Sequence, residues 1–397
     1  MAGTSTRDAI VVGGGPAGSA AAVMLKQRGH DVLLLDEARF PRDKVCGEGI
    51  SPEAWRLLAV LEVDGAVRAL DPHPLRGMAL TSPDGTTFRG DYRGADRPGF
   101  AVRRQRFDRV LLERAREAGV EVREGTKATG LLTNAGAVGG VTAVNGGGPE
   151  ALPARLVVGA DGRRSVVARG LGLLRPHPRL RKFAVRGYWE GMEGLEERGE
   201  MHGAPGAYCG VAPLSPTRAN VTFVLDRREM AEAGGGLEEF YCLALRRWPR
   251  LTERLARATL LSPPKAIGPL ALEASRVSAP GALLVGDAAG FYDPFTGEGV
   301  TLALRSAELA AEAADRFLRT GASLRAYDRA RGEATCHKFR FNRLLQLVVG
   351  RPWLANAVTH RLARRPDLAD RLVSIAGDFV PARTALGPAF LFDLLRS

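Results

Sequence analysis

The run Ala9-Ile10-Val11-Val12-Gly13-Gly14-Gly15-Pro16-Ala17-Gly18 decides how this chain folds. Four apolar residues, short enough for a buried strand, end at glycines spaced G-x-G-x-x-G. In that spacing Gly13 allows a tight turn, Gly15 lets the backbone approach a pyrophosphate, and Gly18 permits close helix–strand packing. The N-terminus of the helix that follows favours the phosphate charge. The spacing alone is a weak signal, because a glycine turn that only packs a helix reads the same. Its surroundings are the stronger argument. Ser19 to Arg28 contains helix formers without a breaker, Gly29 is placed to end the helix, and Val32 to Leu35 is a second β-prone run closed by Asp36. Asp36 stands near the ~20-residue offset of a carboxylate that binds ribose hydroxyls. The segment is a βαβ opening, and Gly13, Gly15, Ala17, Gly18 and Asp36 are its candidate cofactor-binding residues.

Further along the chain, Leu75 to Arg89 reads as a hairpin turning at Ser82-Pro83-Asp84-Gly85. Phe107 to Ala118 is an amphipathic helix and Val120-Glu121-Val122 a strand. The glycine-rich stretch Gly136 to Gly148 is expected to be a loose surface hairpin. Leu156-Val157-Val158 is a buried strand running into Gly159-Ala160-Asp161-Gly162. From Lys182 to Asp226 the alternation changes to that of antiparallel strands, and Leu237 to Ala256 reads as one helical stretch. Ala282 to Val285 returns to a buried strand, followed by a long helix near Val300 to Leu318. The remainder reads as helices broken at Pro352, Pro366 and Pro381. Strand–helix alternation implies a parallel sheet with helices on both faces, into which an antiparallel module is inserted.

Composition bounds the function. With 397 residues, 45% hydrophobic and 25% charged, the chain has the make-up of a soluble globular protein of two intimate domains, or one domain with a cap. No apolar stretch approaches the roughly 20 residues of a membrane span, and Met1 to Asp8 lacks the pattern of a signal peptide. Cys46, Cys209, Cys242 and Cys336 are scattered, which suggests neither a zinc site nor a disulfide framework and fits a reducing cytoplasm. The net charge of +12 comes mostly from arginine. Without basic runs interleaved with aromatics, it reads as a solvated surface rather than a nucleic-acid site. Attraction to an anionic substrate, carrier or membrane surface is the weaker alternative.

The glycine fingerprint does not separate NAD from FAD. A second motif does. Gly286-Asp287-Ala288-Ala289-Gly290 ends a buried strand, and Asp293-Pro294-Phe295-Thr296-Gly297-Glu298-Gly299-Val300 leads into the long helix. A carboxylate at Asp287 can accept hydrogen bonds from a ribityl chain. The helix N-terminus at Gly299 and Val300 can face a flavin's pyrimidine edge and stabilise the anionic reduced ring. The plain alternative for Asp287 is a helix N-cap.

Over about residues 8 to 330 these motifs resemble the FAD-dependent monooxygenases with the para-hydroxybenzoate hydroxylase fold, together with the geranylgeranyl reductases and flavin-dependent halogenases that share it. Between the two glycine motifs, Val158-Gly159-Ala160-Asp161-Gly162-Arg163-Arg164-Ser165 is similar to the family's D-G motif, implicated in FAD and NAD(P)H interaction. Arg42-Asp43-Lys44-Val45-Cys46-Gly47-Glu48-Gly49 and Pro294-Phe295-Thr296-Gly297-Glu298-Gly299 resemble the geranylgeranyl reductase branch. The tryptophan motif of halogenases (W-x-W-x-I-P) is absent, and Tyr208-Cys209-Gly210-Val211-Ala212-Pro213 resembles the reductases' Y-x-W-x-F-P only loosely. The resemblance implies an α/β fold: a glutathione-reductase-like FAD-binding Rossmann domain, discontinuous in sequence (residues 1–74, 99–175 and 268–330), an antiparallel β-sheet substrate domain (75–98 and 176–267), and C-terminal helices (331–397).

It adds Cys46, Arg104, Asp161, Gly286, Asp287, Pro294, Gly297, Gly299 and Val300 to the cofactor-binding set. Arg104 matches a family arginine that contacts FAD, although Arg103 and Arg106 compete for the register and a solvated arginine at a helix start is the plain reading. Cys46 is either a catalytic thiol or a small apolar residue packed beneath the cofactor. His202, Tyr208 and His337 are candidate proton donors or acceptors, each with an ordinary structural alternative. The leading expectation is an NAD(P)H-dependent monooxygenase that hydroxylates an aromatic or polyketide-like molecule through a flavin C4a-hydroperoxide. NAD(P)H would bind transiently, since no second G-x-G-x-x-G unit exists. The alternatives are a flavin reductase of carbon–carbon double bonds and a non-catalytic flavin-binding protein. The basic C-terminal helices, from Lys338 to Arg365, are expected to pack on the flavin domain with their charges in water rather than to dock on a membrane.

Overall fold

The strand Arg7–Val12 is central to a parallel sheet because both its faces are apolar: Ala9, Ile10 and Val11 are fully buried. The computed structural model describes residues 6–177, 182–231, 236–291, 293, 295–384 and 387. The sheet order is Ser278–Ala279, Ala282–Leu284, Gly148–Gly159, Arg7–Val12, Val32–Asp36, Glu121–Glu124. The pairs are parallel except for the outermost strand Ser278–Ala279. Helix Pro16–Gln27 follows the glycine turn and packs against the long helix Gly299–Thr320. The expected Rossmann-like flavin-binding fold with an inserted antiparallel sheet is present.

Two expectations need correction. The Gly136–Gly148 stretch is a regular strand, Ala137–Asn145, paired antiparallel with Lys127–Asn134 and with the first half of Gly148–Gly159. Its alternation buries Val141 and Ala143 completely. The glycines serve a bulge between Val138 and Gly140, where Gly140 has φ +146° and a Cβ would stand 2.2 Å from the Leu152 carbonyl oxygen. Leu237 to Ala256 is two helices, Leu237–Leu245 and Pro249–Leu255, because Pro249 can only begin a helix there.

The second sheet runs in the order Thr259–Leu260, Lys182–Glu190, Arg218–Asp226, Ala207–Pro213, Arg198–Ala204, Gly77–Thr81, Thr87–Asp91, with Lys265–Ile267 also on Lys182–Glu190. Its outer face packs Cys209, Val211, Val221 and Phe223 under the helices Leu237–Leu245 and Pro249–Leu255. The alternate residues, among them Tyr208, Gly210 and Val224, face the flavin-type domain.

Of the C-terminal helices Arg325–Val349, Pro352–Arg364 and Pro366–Ala376, the first packs on the flavin-type domain as expected, with Tyr327 donating to the Leu284 carbonyl, and the other two correct a third expectation. Pro352 and Pro366 each start a helix. The last two helices pack across the edge strand Thr87–Asp91 of the second sheet, burying Phe88, Phe341, Leu362, Leu368 and Val373. Lys338, expected in water, is only 4% exposed. Among the described residues no helix is long and apolar enough to cross a membrane.

Candidate active site

The glycines of the first motif have separate tasks. Gly13 has φ +103°, and a Cβ there would lie 2.5 Å from the Ala160 oxygen; at Gly18 it would lie 1.8 Å from the Gly13 oxygen. Both positions are close approaches of backbone to backbone. Gly15 is different: among the described residues the one neighbour within 4 Å of a Cβ would be the flexible end of Arg42, at 3.3 Å. Gly15 caps helix Pro16–Gln27 without any side-chain cap, so the first N–H groups of that helix are left for an anion. This is a cradle that a pyrophosphate fits.

Asp36 closes the next strand, where its carboxylate accepts the Gly14 N–H at 2.7 Å and the Ala38 N–H at 2.8 Å. Burial pushes its pKa up, against the pull of those hydrogen bonds. Of the arginine triplet, Arg104 alone lines the cavity. It is buried and makes a bidentate pair with the fully buried Asp108 at 2.7 and 2.8 Å, and Asp108 also accepts from Arg42 at 3.0 Å. Two guanidinium groups on one carboxylate leave a net positive charge beside Gly15. Arg106 is exposed, while Arg103 stacks on the Tyr188 ring at 4.4 Å.

Asp161 accepts from the Val166 N–H at 2.6 Å and so shapes the turn that presses on Gly13; its other oxygen, Oδ1, is buried without a partner. Burial raises its pKa. Gly286 has φ +57°, and a Cβ there would stand 2.8 Å from the Ala17 Cβ, so the two glycine motifs meet. Asp287 does not cap the long helix, whose N-cap is Glu298. It lines the cavity, in the electrostatic reach of Lys44 and Arg163. Gly297, Gly299 and Val300 line the same cavity; Pro294 lies outside the described residues.

That cavity measures about 650 Å³ and is continuous from the glycine cradle to the second sheet, within the ~300–1,000 Å³ of small-molecule sites. One half is polar and cationic, with Arg42, Lys44, Arg163 and Arg164. The other is walled by Met78, Met201, Val224, Leu270, Phe291 and Phe295. Burial lowers the pKa of Lys44. Cys46 lines the cavity between the halves, its sulfur accepting the Glu48 N–H at 3.4 Å and lying against Arg104.

Several functional residues escaped the sequence reading. Glu48, almost fully buried at φ +62°, accepts from Tyr188 Oη at 2.5 Å, the Arg104 N–H at 2.9 Å and Asn220 Nδ2 at 3.2 Å. A non-glycine residue at that φ stores strain, which these contacts offset. Arg186 is 2% exposed and bonds Asp43 at 2.9 and 2.8 Å. Arg186, followed by Lys265, holds the Asp43 carboxyl below the usual range. Asn220 also donates to the Cys46 carbonyl at 2.8 Å. The second sheet therefore clamps the 43–48 loop onto the cavity. The only sequence signal for this was the acids Asp43 and Glu48 flanking K-x-C-G, because their partners on the second sheet are more than a hundred residues away.

The proton-donor candidates separate. His337 is exposed on the C-terminal helix, and His202 is tied to Glu200 at 2.8 Å beside Arg254. Tyr208 lines the cavity and donates to Asp293 at 2.6 Å, with Lys182 Nζ 3.4 Å from the other Asp293 oxygen. Burial holds the Tyr208 pKa well above normal, so its hydroxyl keeps the proton.

A Rossmann sheet, an open glycine cradle flanked by arginines and an apolar cap wall define an FAD-dependent oxidoreductase with the para-hydroxybenzoate hydroxylase fold. Residues 6–337 match the FAD binding domain family, and the chain belongs to it. It is 32% identical over 324 residues to digeranylgeranylglycerophospholipid reductase of Methanosarcina mazei, covering 79% of this chain and 76% of that one. It is 31% identical to menaquinone reductase of Mycobacterium tuberculosis, covering 79% and 78%. The structure of the myxobacterial chondrochloren halogenase, a variant of FAD-dependent halogenases, superposes with a TM-score of 0.80 at 26% identity, covering 98% and 97%. These relatives include reductases and halogenases, and none favours hydroxylation of an aromatic ring over reduction.

Proposed function

We propose that this flavoprotein reduces carbon–carbon double bonds in an isoprenoid-like lipid, drawing electrons from NAD(P)H. The observation that carries this reading is the apolar half of the cavity, considered with relatives above 30% identity whose names are those of polyprenyl-lipid and menaquinone reductases. FAD, when bound, supplies the hydride chemistry. The chain's own residues do the rest. Gly15, the helix behind it, Arg42 and Arg104 hold the pyrophosphate, and Asp287 takes the ribityl hydroxyls. Lys44, Arg163 and Arg164 form a cationic rim for the phosphates of a transient NAD(P)H. Met201, Val224, Leu270 and Phe295 exclude water from the reacting carbons. Each double bond needs one hydride and one proton. Tyr208 Oη would give its proton at the apolar wall once its bond to the Asp293 carboxylate opens, and the Lys182 ammonium, paired with the same carboxylate, would supply the proton that restores it.

Anaerobic stopped-flow tests the reading. The enzyme with prereduced flavin, mixed with a polyprenyl lipid, should return to the yellow oxidised form, and the product should carry two extra hydrogens per reduced bond. Reoxidation that requires oxygen, with an oxygen atom in the product, would reject it in favour of monooxygenation.

A further inference from the structure

Phe295, Thr296, Gly297 and Gly299 line the cavity, and the residues Asp293 and Glu298 beside them are held from outside the flavin-binding domain. At one end Asp293 meets Lys182 and Tyr208 of the second sheet. At the other, Glu298 is 2% exposed and caps helix Gly299–Thr320, whose first residues line the cavity. Glu298 pairs with Lys338 of the helix Arg325–Val349. Lys338 also pairs with Asp378 at 3.0 Å and donates to the Ile375 carbonyl at 2.9 Å. Two carboxylates thus share one ammonium in a buried place, with the Tyr92 ring beside both. An apolar contact would pack those helices at least as well as a buried charge cluster. The cluster is better explained by what it holds: the first turn of helix Gly299–Thr320, whose Gly299 and Val300 line the cavity.

We propose that Lys338 is a positioning residue for the flavin. Through Glu298 it fixes the first turn of helix Gly299–Thr320, so that the C-terminal helices help set FAD affinity and reduction potential. This holds for an FAD enzyme of either reaction type. It gives Lys338 a role through Glu298 that does not depend on the other cations of its helix.

The test uses the purified holoenzyme and reads FAD retention on dilution, the midpoint potential by dye equilibration, and thermal stability. Lys338→Met leaves Glu298 and Asp378 without their cation, and FAD should be held on the order of tenfold less tightly. The potential should fall, because uncompensated carboxylates oppose the anionic reduced ring. Glu298→Gln removes a negative charge from the same place, so the potential should rise. The double variant should lie nearer the wild type than Lys338→Met does. Asp370→Asn is the packing control. Asp370 accepts from the Asp91 N–H at 2.7 Å and from Arg93, and tethers the last helix to the second sheet away from the flavin loop. It should lower the melting temperature and leave the potential alone. Unchanged retention and potential in Lys338→Met would overturn the proposal, as would shifts of the same sign in both single variants. Should Lys338→Met fail to fold, Glu298→Gln decides alone: an unmoved potential rejects the assignment, and a raised one with Asp370→Asn silent upholds it.

Discussion

Gly15 and Gly18 stand three residues apart in one motif, yet adding a side chain to each should break different things. At Gly18 a Cβ would sit 1.8 Å from the Gly13 oxygen. Ordinary contact begins near 3.4 Å, so the helix would have to move by more than 1 Å away from a core in which Val11 and Ala20 are fully buried. Overpacking of that kind costs about 1–3 kcal/mol or more, and Gly18→Ala should be strongly destabilised even without cofactor. Gly15 has φ −72° and ψ −176°, which any residue adopts, and among the described residues the one neighbour within 4 Å of a Cβ there is the movable end of Arg42. Gly15→Ala should therefore leave apoprotein stability within ~1 kcal/mol of wild type. Gly15→Val should likewise fold, because the space ahead of it is cavity. What both lose is the pyrophosphate's approach. Displacing it from one or two charge-assisted N–H contacts, at about 1.5–3 kcal/mol each, weakens FAD by roughly 10-fold to beyond 100-fold. Circular dichroism melts of the apoproteins and fluorescence titration with FAD separate the effects. A Gly15→Val protein that folds and binds FAD at full strength would refute the cradle, and a Gly18→Ala protein as stable as wild type would refute the packing argument.

Asp287→Ala should bind FAD about 1.5–3 kcal/mol more weakly without unfolding, because its carboxylate lines the cavity and caps no helix; an unchanged calorimetric affinity would remove it from the site. Asp43 has a pKa depressed by Arg186 and Lys265, so its stabilising effect is present above the unfolded carboxylate value near ~4 and fades as pH falls through its folded value. The stability gap between wild type and Asp43→Asn in urea should accordingly be full at neutral pH and close on acidification, and a gap independent of pH would contradict the ion pair. Gly210→Trp should keep FAD and raise KM for bulky substrates, since a Cβ at Gly210 meets nothing closer than the Met201 Cε at 3.6 Å and the side chain would enter the cavity; unchanged substrate selectivity would show that this wall does not touch substrate.

What was legible in the sequence was local. The glycine turn, Asp36 at a strand end and the Gly286-Asp287 turn are each read within a few residues, because backbone conformation and helix termini are local properties. The sequence offered three neighbouring arginines, and which of them is buried depended on Asp108, four residues beyond Arg104, being buried to pair with it. The Glu48 cluster and the Glu298–Lys338 pair were not readable, because each joins residues 40 or more apart with no periodic signature. A lysine on an arginine-rich helix looks solvated until the helix is placed. The glycine-rich stretch before Gly148 misled for the opposite reason. Glycine signals both looseness and close approach, and only the buried Val141 and Ala143 decide between them.

The same distinction bears on how substrate choice can vary in such a fold. Buried polar contacts between the second sheet and the flavin-binding domain include Arg186 with Asp43, Tyr188 with Glu48, Asn220 with Cys46 and Glu48, and Tyr208 with Asp293. Each is a hydrogen bond or ion pair shielded from water, so losing one partner strands the other at a cost of about 1–3 kcal/mol. The cavity wall between them is made of Met201, Gly210, Val224 and Leu270, which bond to nothing across the gap with their side chains. Exchange among apolar side chains there changes the shape offered to a substrate and leaves the clamps on the 43–48 and 293–299 loops intact. Specificity can therefore drift on this wall while the flavin stays in place. Tyr208 belongs to both sets, so under the proposed function its substitution should alter the cavity wall and the proposed proton supply together.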